Sequence, residues 1–180
     1  QVFGRESGVR RALGVRSSRR TFLRRFLWLA AAAPLARRAE AQGFCNGDAA
    51  GGRACRTALR SLLVEQAAAA QEASEWCWAA CIEMVFRFHG YDVPQHEIVR
   101  QTWGDIVNMP GHPDQILDNL NRPWTDERGR RFRVMGDTYT ANEYTAAQDL
   151  TNDMPLIIGT MGHAMVLTSI LYTRDKAGNG

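Results

Sequence analysis

Residues 71–81 read Gln71-Glu72-Ala73-Ser74-Glu75-Trp76-Cys77-Trp78-Ala79-Ala80-Cys81, and this stretch decides the fold. Ser74 is a good helix N-cap, and Glu75 places negative charge in a first turn. Apolar residues then recur at helical spacing as far as Phe86. The pattern predicts a helix that begins after Ser74 and carries Cys77 at its third position. Unpaired N–H groups and the helix dipole favour a negative sulfur there.

Helical patterns come first along the rest of the chain, and strand patterns come later. We predict further helices over residues 56–70, 94–102, 113–120 and 142–152, and strands over residues 131–135, 155–159 and 163–172. A chain that places its helices before its strands favours an α+β domain over alternating βαβ units. We therefore expect N-terminal helices packed on a C-terminal antiparallel sheet.

A second residue with catalytic chemistry, His163, lies 86 residues after Cys77 and directly behind Gly162, at the start of the last predicted strand. From the edge of a sheet, its imidazole can reach the first turn of the helix. An imidazolium within hydrogen-bond distance holds a thiolate as an ion pair, which is a nucleophile with its own proton donor. Gln71 supplies an amide that can stabilise a developing negative oxygen together with the Cys77 N–H. Gln66 offers a competing amide in a similar polar setting.

These residues resemble the papain-like cysteine peptidases, in which a Gln precedes the catalytic Cys by six residues, Trp commonly follows the Cys, and the His leads a strand. The Cys–His separation of 86 residues is shorter than the roughly 130–150 of papain itself. The string Trp76-Cys77-Trp78-Ala79-Ala80 is closer to the compact bacterial branch, the bacteriocin-leader peptidase-like domains and the plant-pathogen effector cysteine peptidases. The resemblance implies a papain-like fold and peptide-bond cleavage through a Cys77 acyl-enzyme. It also implies His163 as general base and acid and Gln71 at the oxyanion. Nothing in the sequence requires a metal or organic cofactor.

In that family an Asn or Asp on the following strand orients the His. Asp175 and Asn179 follow His163, but both lie in an apparent hairpin turn near Gly180. We therefore expect at least one further C-terminal strand. The orienting residue is then Asp175, Asn179 or a residue beyond Gly180.

The first 41 residues indicate an export signal. Ser18-Arg19-Arg20-Thr21-Phe22-Leu23 resembles a twin-arginine signature, an apolar run follows over residues 26–35, and Ala39-Glu40-Ala41 fits a small-x-small cleavage site. Ten apolar residues are too few to cross a bilayer, which needs about 20. We predict a twin-arginine signal peptide over residues 1–41 that is removed on export to the periplasm or the extracellular space.

Removal of this segment reverses the net charge. It holds ten Arg and two Glu, so residues 42–180 carry −5 while the whole chain carries +3. Nucleic acid is therefore not the expected partner. The resemblance to the cysteine peptidases implies a peptide or protein of the cell envelope as the substrate, and we expect no membrane attachment after cleavage. We divide the remainder into a flexible N-terminal segment over residues 42–56 and one domain over residues 57–180, a size typical of a single domain.

All four cysteines follow the predicted cleavage site, and export favours a disulfide. Cys45 and Cys55 lie in a Gly/Ala-rich stretch flexible enough to close a small loop, so we predict a bridge between them. Cys77 and Cys81 are one helical turn apart, where side chains diverge too much for easy bridging. We therefore expect Cys77 to be free and reactive and Cys81 to be free and buried.

Other interpretations stay open. A Cys at the start of an apolar helix is often a small core residue, and a papain-like fold can serve as a binding or inhibitory module without turnover. An acyl or peptidyl transferase uses the same residues as a hydrolase. A metal site over Cys77, Cys81, His89 and a later His has a poor zinc spacing. We interpret Trp76 and Trp78 as packing groups, and His96 and His112 as surface residues.

Overall fold

The computed structural model describes residues 2–5, 42–47, 52–139 and 142–174. In chain order the elements are β1 (Val2–Arg5), β2 (Gln42–Gly47), β3 (Arg53–Ala58), α1 (Ser61–Ala67), α2 (Cys77–Phe88), α3 (Gln95–Trp103), α4 (Pro113–Asn121), β4 (Pro123–Thr125), β5 (Arg131–Arg133), β6 (Met135–Tyr139), α5 (Glu143–Thr151), β7 (Leu156–Thr160), β8 (His163–Leu167) and β9 (Ser169–Arg174). The helices α3, α4 and α5 confirm the predicted ones to within a residue or two.

The strands of the described residues form three small antiparallel sheets. One has the order β6-β1-β7-β8, another the order β2-β3-β9, and β4 and β5 form a two-stranded hairpin. Helix α2 packs against β8, and α5 packs against β3 and β9. The predicted α+β class with antiparallel sheets is therefore confirmed. The expected order, with N-terminal helices followed by one C-terminal sheet, was wrong, because β1, β2 and β3 precede the first described helix and the described strands form three sheets.

Helix α2 is the centre of the larger core. Its side chains at Trp78, Ile82 and Phe86 are almost completely buried, because its apolar positions recur on nearly all sides. Phe86 makes edge-to-face contacts with Trp124 and Phe132 of the β4–β5 hairpin, with ring centroids 5.6 and 5.0 Å apart. The hairpin thus covers the helix at a distance from its first turn.

Two predicted strands are each divided in the structure. The strand predicted over residues 163–172 was wrong as a single element, because the chain changes sheets at Thr168, from β8 to β9. The Thr168 carbonyl accepts a hydrogen bond from the Leu59 N–H, 2.9 Å away, which continues the pairing of Ala58 with Ser169. The strand predicted over residues 131–135 is likewise interrupted at Val134, whose side chain is buried.

The stretch after the predicted cleavage site is more regular than its composition suggested. Residues 42–56 were expected to be flexible, but they contribute β2 and most of β3. Cys45 and Cys55 lie directly opposite each other in this pair and form a disulfide with an S–S distance of 2.04 Å, which confirms the predicted bridge. The helix predicted over residues 56–70 is reduced to the seven residues of α1, because β3 extends through Ala58 to pair with β9.

Strand β1 comes from the segment predicted to be a signal peptide. It lies between β6 and β7 and pairs antiparallel with both. Residues 6–41, with the twin-arginine string and the cleavage site, lie outside the described residues. No helix within the described ranges has both the length and the apolar character needed to cross a bilayer.

Candidate active site

Cys77 is the first residue of α2, and its thiol is partly exposed. The helix start was predicted two residues too early, since Trp76 and not Ser74 is the N-cap. The Ser74 hydroxyl instead accepts a hydrogen bond from the Asn108 side-chain amide at 2.9 Å, so it is engaged with a loop and does not cap the helix. At the first position of a helix the backbone N–H has no acceptor within the helix. The Cys77 N–H therefore points into the space before the first turn of α2.

Strand β8 brings His163 to this helix end. His163 is the first residue of β8 and pairs with Thr160 of β7 across a two-residue turn. The next residue, Ala164, donates its backbone N–H to Cys77 Sγ at 3.5 Å. The residue that follows His163 therefore contacts the Cys77 thiol, and this places the start of β8 beside the start of α2.

Cys77 and His163 line a common cleft of about 730 Å³. Its walls come from the start of α2, from the loop that leads into α4, and from the β7–β8 hairpin. The lining residues include Ser74, Glu75, Trp78, Pro110, Gly111, His112, Ile116, Ile157, Thr160, Met161 and Ala164. Ligand sites are usually concave, with apolar walls that carry a few polar groups, and this cleft combines apolar residues with Cys77 and His163.

The two tryptophans beside Cys77 hold one wall of the cleft in place. The Trp76 indole N–H donates to the Val107 carbonyl at 2.9 Å, and the Trp78 indole N–H donates to the Met109 carbonyl at 3.1 Å. Both indoles are buried. This agrees with the expectation that they are packing groups, and their polar ends also fasten the loop before α4.

Gln71 does not line the cleft. Its side-chain amide nitrogen donates to the carbonyls of Ala73 and Ser74, at 2.6 and 2.7 Å, so both of its N–H groups are occupied within the turn before α2. The competing Gln66 lies exposed on α1 and does not line the cleft either. Two oxyanion donors were expected, the Gln71 amide and the Cys77 N–H. Of their two residues, Cys77 lines the cleft and Gln71 does not.

Cys81 is buried one turn after Cys77 in the core of α2. Burial, reinforced by the nearby Cys77 thiol, raises the pKa of Cys81 to about 12. Cys81 therefore stays protonated at neutral pH and cannot act as the nucleophile, as expected from its position.

His112 is a cleft residue that the sequence did not reveal. It was expected to be an ordinary surface residue, and although it is exposed, it lines the same cleft as Cys77 and His163. The position of His112 in this cleft depends on the path of the loop between α3 and α4. The one local signal was the string Gly111-His112-Pro113, which marks a turn at a helix start.

The residues proposed to orient His163 lie outside the described part of the chain, since Asp175 and Asn179 both follow β9. Within the described residues, no three His, Cys, Asp or Glu side chains are grouped so that they could hold a metal ion.

Comparison with protein-family models, with curated proteins and with solved structures gave no match. The geometry of the cleft therefore carries the functional interpretation.

Proposed function

We propose that this protein is a thiol hydrolase, and specifically a cysteine peptidase with a papain-like fold. The observation that supports this most directly is the hydrogen bond from the Ala164 N–H to Cys77 Sγ. It joins the strand that begins at His163 to the first turn of α2, at the edge of an open cleft. A helix that carries Cys at its start and packs on an antiparallel sheet that carries His is also the arrangement that the sequence resemblance implies.

The proposed reaction has two steps. The Cys77 thiol gives its proton to His163, and the sulfur attacks the carbonyl carbon of a bound peptide; His163 then protonates the leaving amine as the C–N bond breaks. Water then attacks the carbonyl carbon of the resulting thioester while His163 takes one of its protons. The C–S bond breaks, so the carboxylate product leaves and the sulfur of Cys77 is free for the next turnover. The positive end of the α2 dipole favours the thiolate at this position.

The negative oxygen of the tetrahedral intermediate needs donors, and loss of one donor of this kind costs about 10²–10³-fold in rate. The Cys77 backbone N–H at the start of α2 is the first candidate. Gln71 becomes the second if its amide leaves the Ala73 and Ser74 carbonyls and turns toward the cleft when substrate binds. Its position six residues before Cys77, in the segment that leads to α2, supports this role.

The substrate in this proposal is a peptide or protein outside the cytoplasm, reached after twin-arginine export and removal of residues 1–41. Nucleic acid is not a proposed partner, and no metal or organic cofactor enters the proposed mechanism. A papain-like binding module without turnover is the second candidate, supported by the occupied amide of Gln71.

The pH dependence of iodoacetamide alkylation, mapped to each cysteine by mass spectrometry, tests the nucleophile. We expect Cys77 to react at pH 6 at least about tenfold faster than an ordinary thiol of pKa ~8.5, and to lose this rate in His163→Ala. His96→Ala, an exposed histidine on α3, is the matched control and should react like the wild type. Cys81 serves as an internal reference that reacts only after unfolding. Ordinary reactivity of Cys77 in all three proteins would rule out the catalytic proposal in favour of the binding module.

Product analysis separates hydrolysis from transfer. Peptide libraries are incubated with the protein, with and without an added amine, and the products are weighed by mass spectrometry. A peptidase yields free carboxylates under both conditions, whereas an acyl transferase yields mainly the amide of the added amine.

A further inference from the structure

The segment that carries Gln71 toward α2, residues 68–73, belongs to no helix or strand. A buried side chain from α3 supports it. Gln95, the first residue of α3, accepts the Glu72 N–H at 3.0 Å through Oε1 and donates through Nε2 to the Ala70 carbonyl at 2.8 Å. The amide thus bonds the peptide groups on both sides of Gln71, as a neighbouring strand would.

The orientation of this amide is fixed by a third bond. Gln95 Nε2 also donates to Glu83 Oε2 at 2.7 Å, and the other oxygen of Glu83 pairs with Arg87 at 2.8 Å. Since an ionised carboxylate only accepts hydrogen bonds, the nitrogen of the amide must face Glu83 and its oxygen must face the Glu72 N–H. Gln95 and Glu83 are 1% and 2% exposed, so water does not compete for these bonds.

Few other side chains meet these requirements. The side chain at position 95 accepts one hydrogen bond and donates two, and the amide of Gln can do both. A Glu at this position would lack the donors, and an Asn would be one methylene too short. An apolar residue would leave the Glu83 carboxylate without its amide donor. Because the hydrogen bonds of this buried amide all go to one loop and one carboxylate, the amide holds that loop in a single position.

We infer that Gln95 is a positioning residue for the proposed reaction. It holds the chain on either side of Gln71 and thereby fixes the position of Gln71 relative to the Cys77 thiol. This rests on the proposed cysteine peptidase function. Without Gln95 the segment before α2 shifts, and Gln71, the second proposed oxyanion donor, moves with it. The Cys77–His163 pair is held separately, by the contact between α2 and β8, so it stays as it is.

The test uses Gln95→Leu and a matched control, Gln101→Leu, which makes the same change on the same helix at an exposed position. We expect Gln95→Leu to lower kcat by about 10- to 100-fold, the usual effect of a misplaced group, with KM within a few-fold of wild type. The alkylation rate of Cys77 at pH 6 should not change. Gln101→Leu should match the wild type in all three measurements.

Two further measurements keep the result clear if Gln95→Leu folds poorly. The double variant Gln95→Glu with Glu83→Gln exchanges donor and acceptor across the buried pair, and it should recover part of the kcat that Gln95→Glu alone loses. Amide hydrogen exchange should show the Glu72 N–H protected in the wild type and in Gln101→Leu, but not in Gln95→Leu.

The outcomes distinguish the two proposals. If Gln95→Leu and Gln101→Leu have equal kcat, and Cys77 reacts at pH 6 in both, the positioning role of Gln95 is overturned and the proposed function stands. A fall in kcat that is matched by an equal fall in Cys77 alkylation also overturns it, because the nucleophile and not the donors would then be affected. A wild-type Cys77 that does not react at pH 6 overturns the proposed function itself.

Discussion

The Ala164 N–H donates to the Cys77 sulfur across 3.5 Å, a contact between residues 87 positions apart in the chain. The residue that reaches the thiol is set by the register of the β7–β8 hairpin, in which Thr160 pairs with His163. Because side chains alternate between the faces of a strand, a slip of one residue would place His163 on the opposite face. The geometry of the hairpin turn therefore controls the geometry of the candidate site.

Replacement of Met161 by Asn should stabilise the protein. Met161 and Gly162 form the turn with φ of 48° and 81°, the left-handed region that costs most residues about 1–2 kcal/mol and Asn less. Met161 is fully exposed, so little packing is lost. We expect Met161→Asn to raise the free energy of unfolding by about 1 kcal/mol, measured by urea denaturation.

Met109→Asn is the control for this prediction, because Met109 is also exposed but has an ordinary negative φ. It should leave the free energy of unfolding nearly unchanged. An equal gain in both variants would show that loss of exposed apolar surface, and not turn geometry, is responsible.

Replacement of Gly111 by Ala should displace one wall of the cleft. A Cβ at Gly111 would lie 2.3 Å from Cδ2 of Trp78, well inside contact distance. Trp78 cannot move away, since it is 1% exposed and its indole N–H is bonded to Met109. We expect a loss of about 1–3 kcal/mol in the free energy of unfolding, as for other overpacked sites, and slower alkylation of Cys77 at pH 6.

The matched change for Gly111→Ala is Gly47→Ala, since a Cβ at Gly47 meets nothing within 4 Å. Urea denaturation of Gly47→Ala should give wild-type stability. Wild-type stability of Gly111→Ala as well would mean that the loop before α4 does not rest on the indole.

The helices from α2 to α5 were predictable because their signals are local. Pro113 marks the start of α4, and Asn142 caps α5 by accepting the N–H groups of Tyr144 and Thr145. Strands β2 and β3 were missed because a Gly/Ala-rich stretch carries little strand propensity. Strand β3 pairs with β9, more than 100 residues later, and β2 pairs with β3.

The candidate site was predictable in its residue types but not in their rotamers. Spacing identified Cys77 and His163, and the structure brings their elements together. Spacing could not show that the Gln71 amide turns back to the Ala73 carbonyl, because carbonyls two and three residues away compete locally for its N–H groups. His112 was missed because its approach depends on a loop held by indole hydrogen bonds from α2.

The β4–β5 hairpin depends on a buried carboxylate, and this makes stability depend on pH. Asp126 is 4% exposed, and its carboxylate accepts hydrogen bonds from the backbone N–H groups of Arg128 and Arg130. It also forms an ion pair with the Arg130 guanidinium, with an N–O distance of 2.6 Å. Burial by itself raises the pKa of Asp126, but the hydrogen bonds and charge of Arg130 outweigh it and lower the pKa below its ordinary 3.8. The ionised form is thus the one that stabilises the fold.

A lowered folded-state pKa means that Asp126 contributes stability above its unfolded pKa and loses this contribution as the pH falls through the folded value. We expect Asp126→Asn to be clearly less stable than wild type in urea at pH 7, with the difference shrinking toward pH 2. Asp118→Asn, an exposed carboxylate on α4, should show little difference at either pH. A difference for Asp126→Asn that stays constant from pH 7 to pH 2 would mean that hydrogen-bond geometry, and not the charge of Asp126, holds the turn that closes over the end of α2.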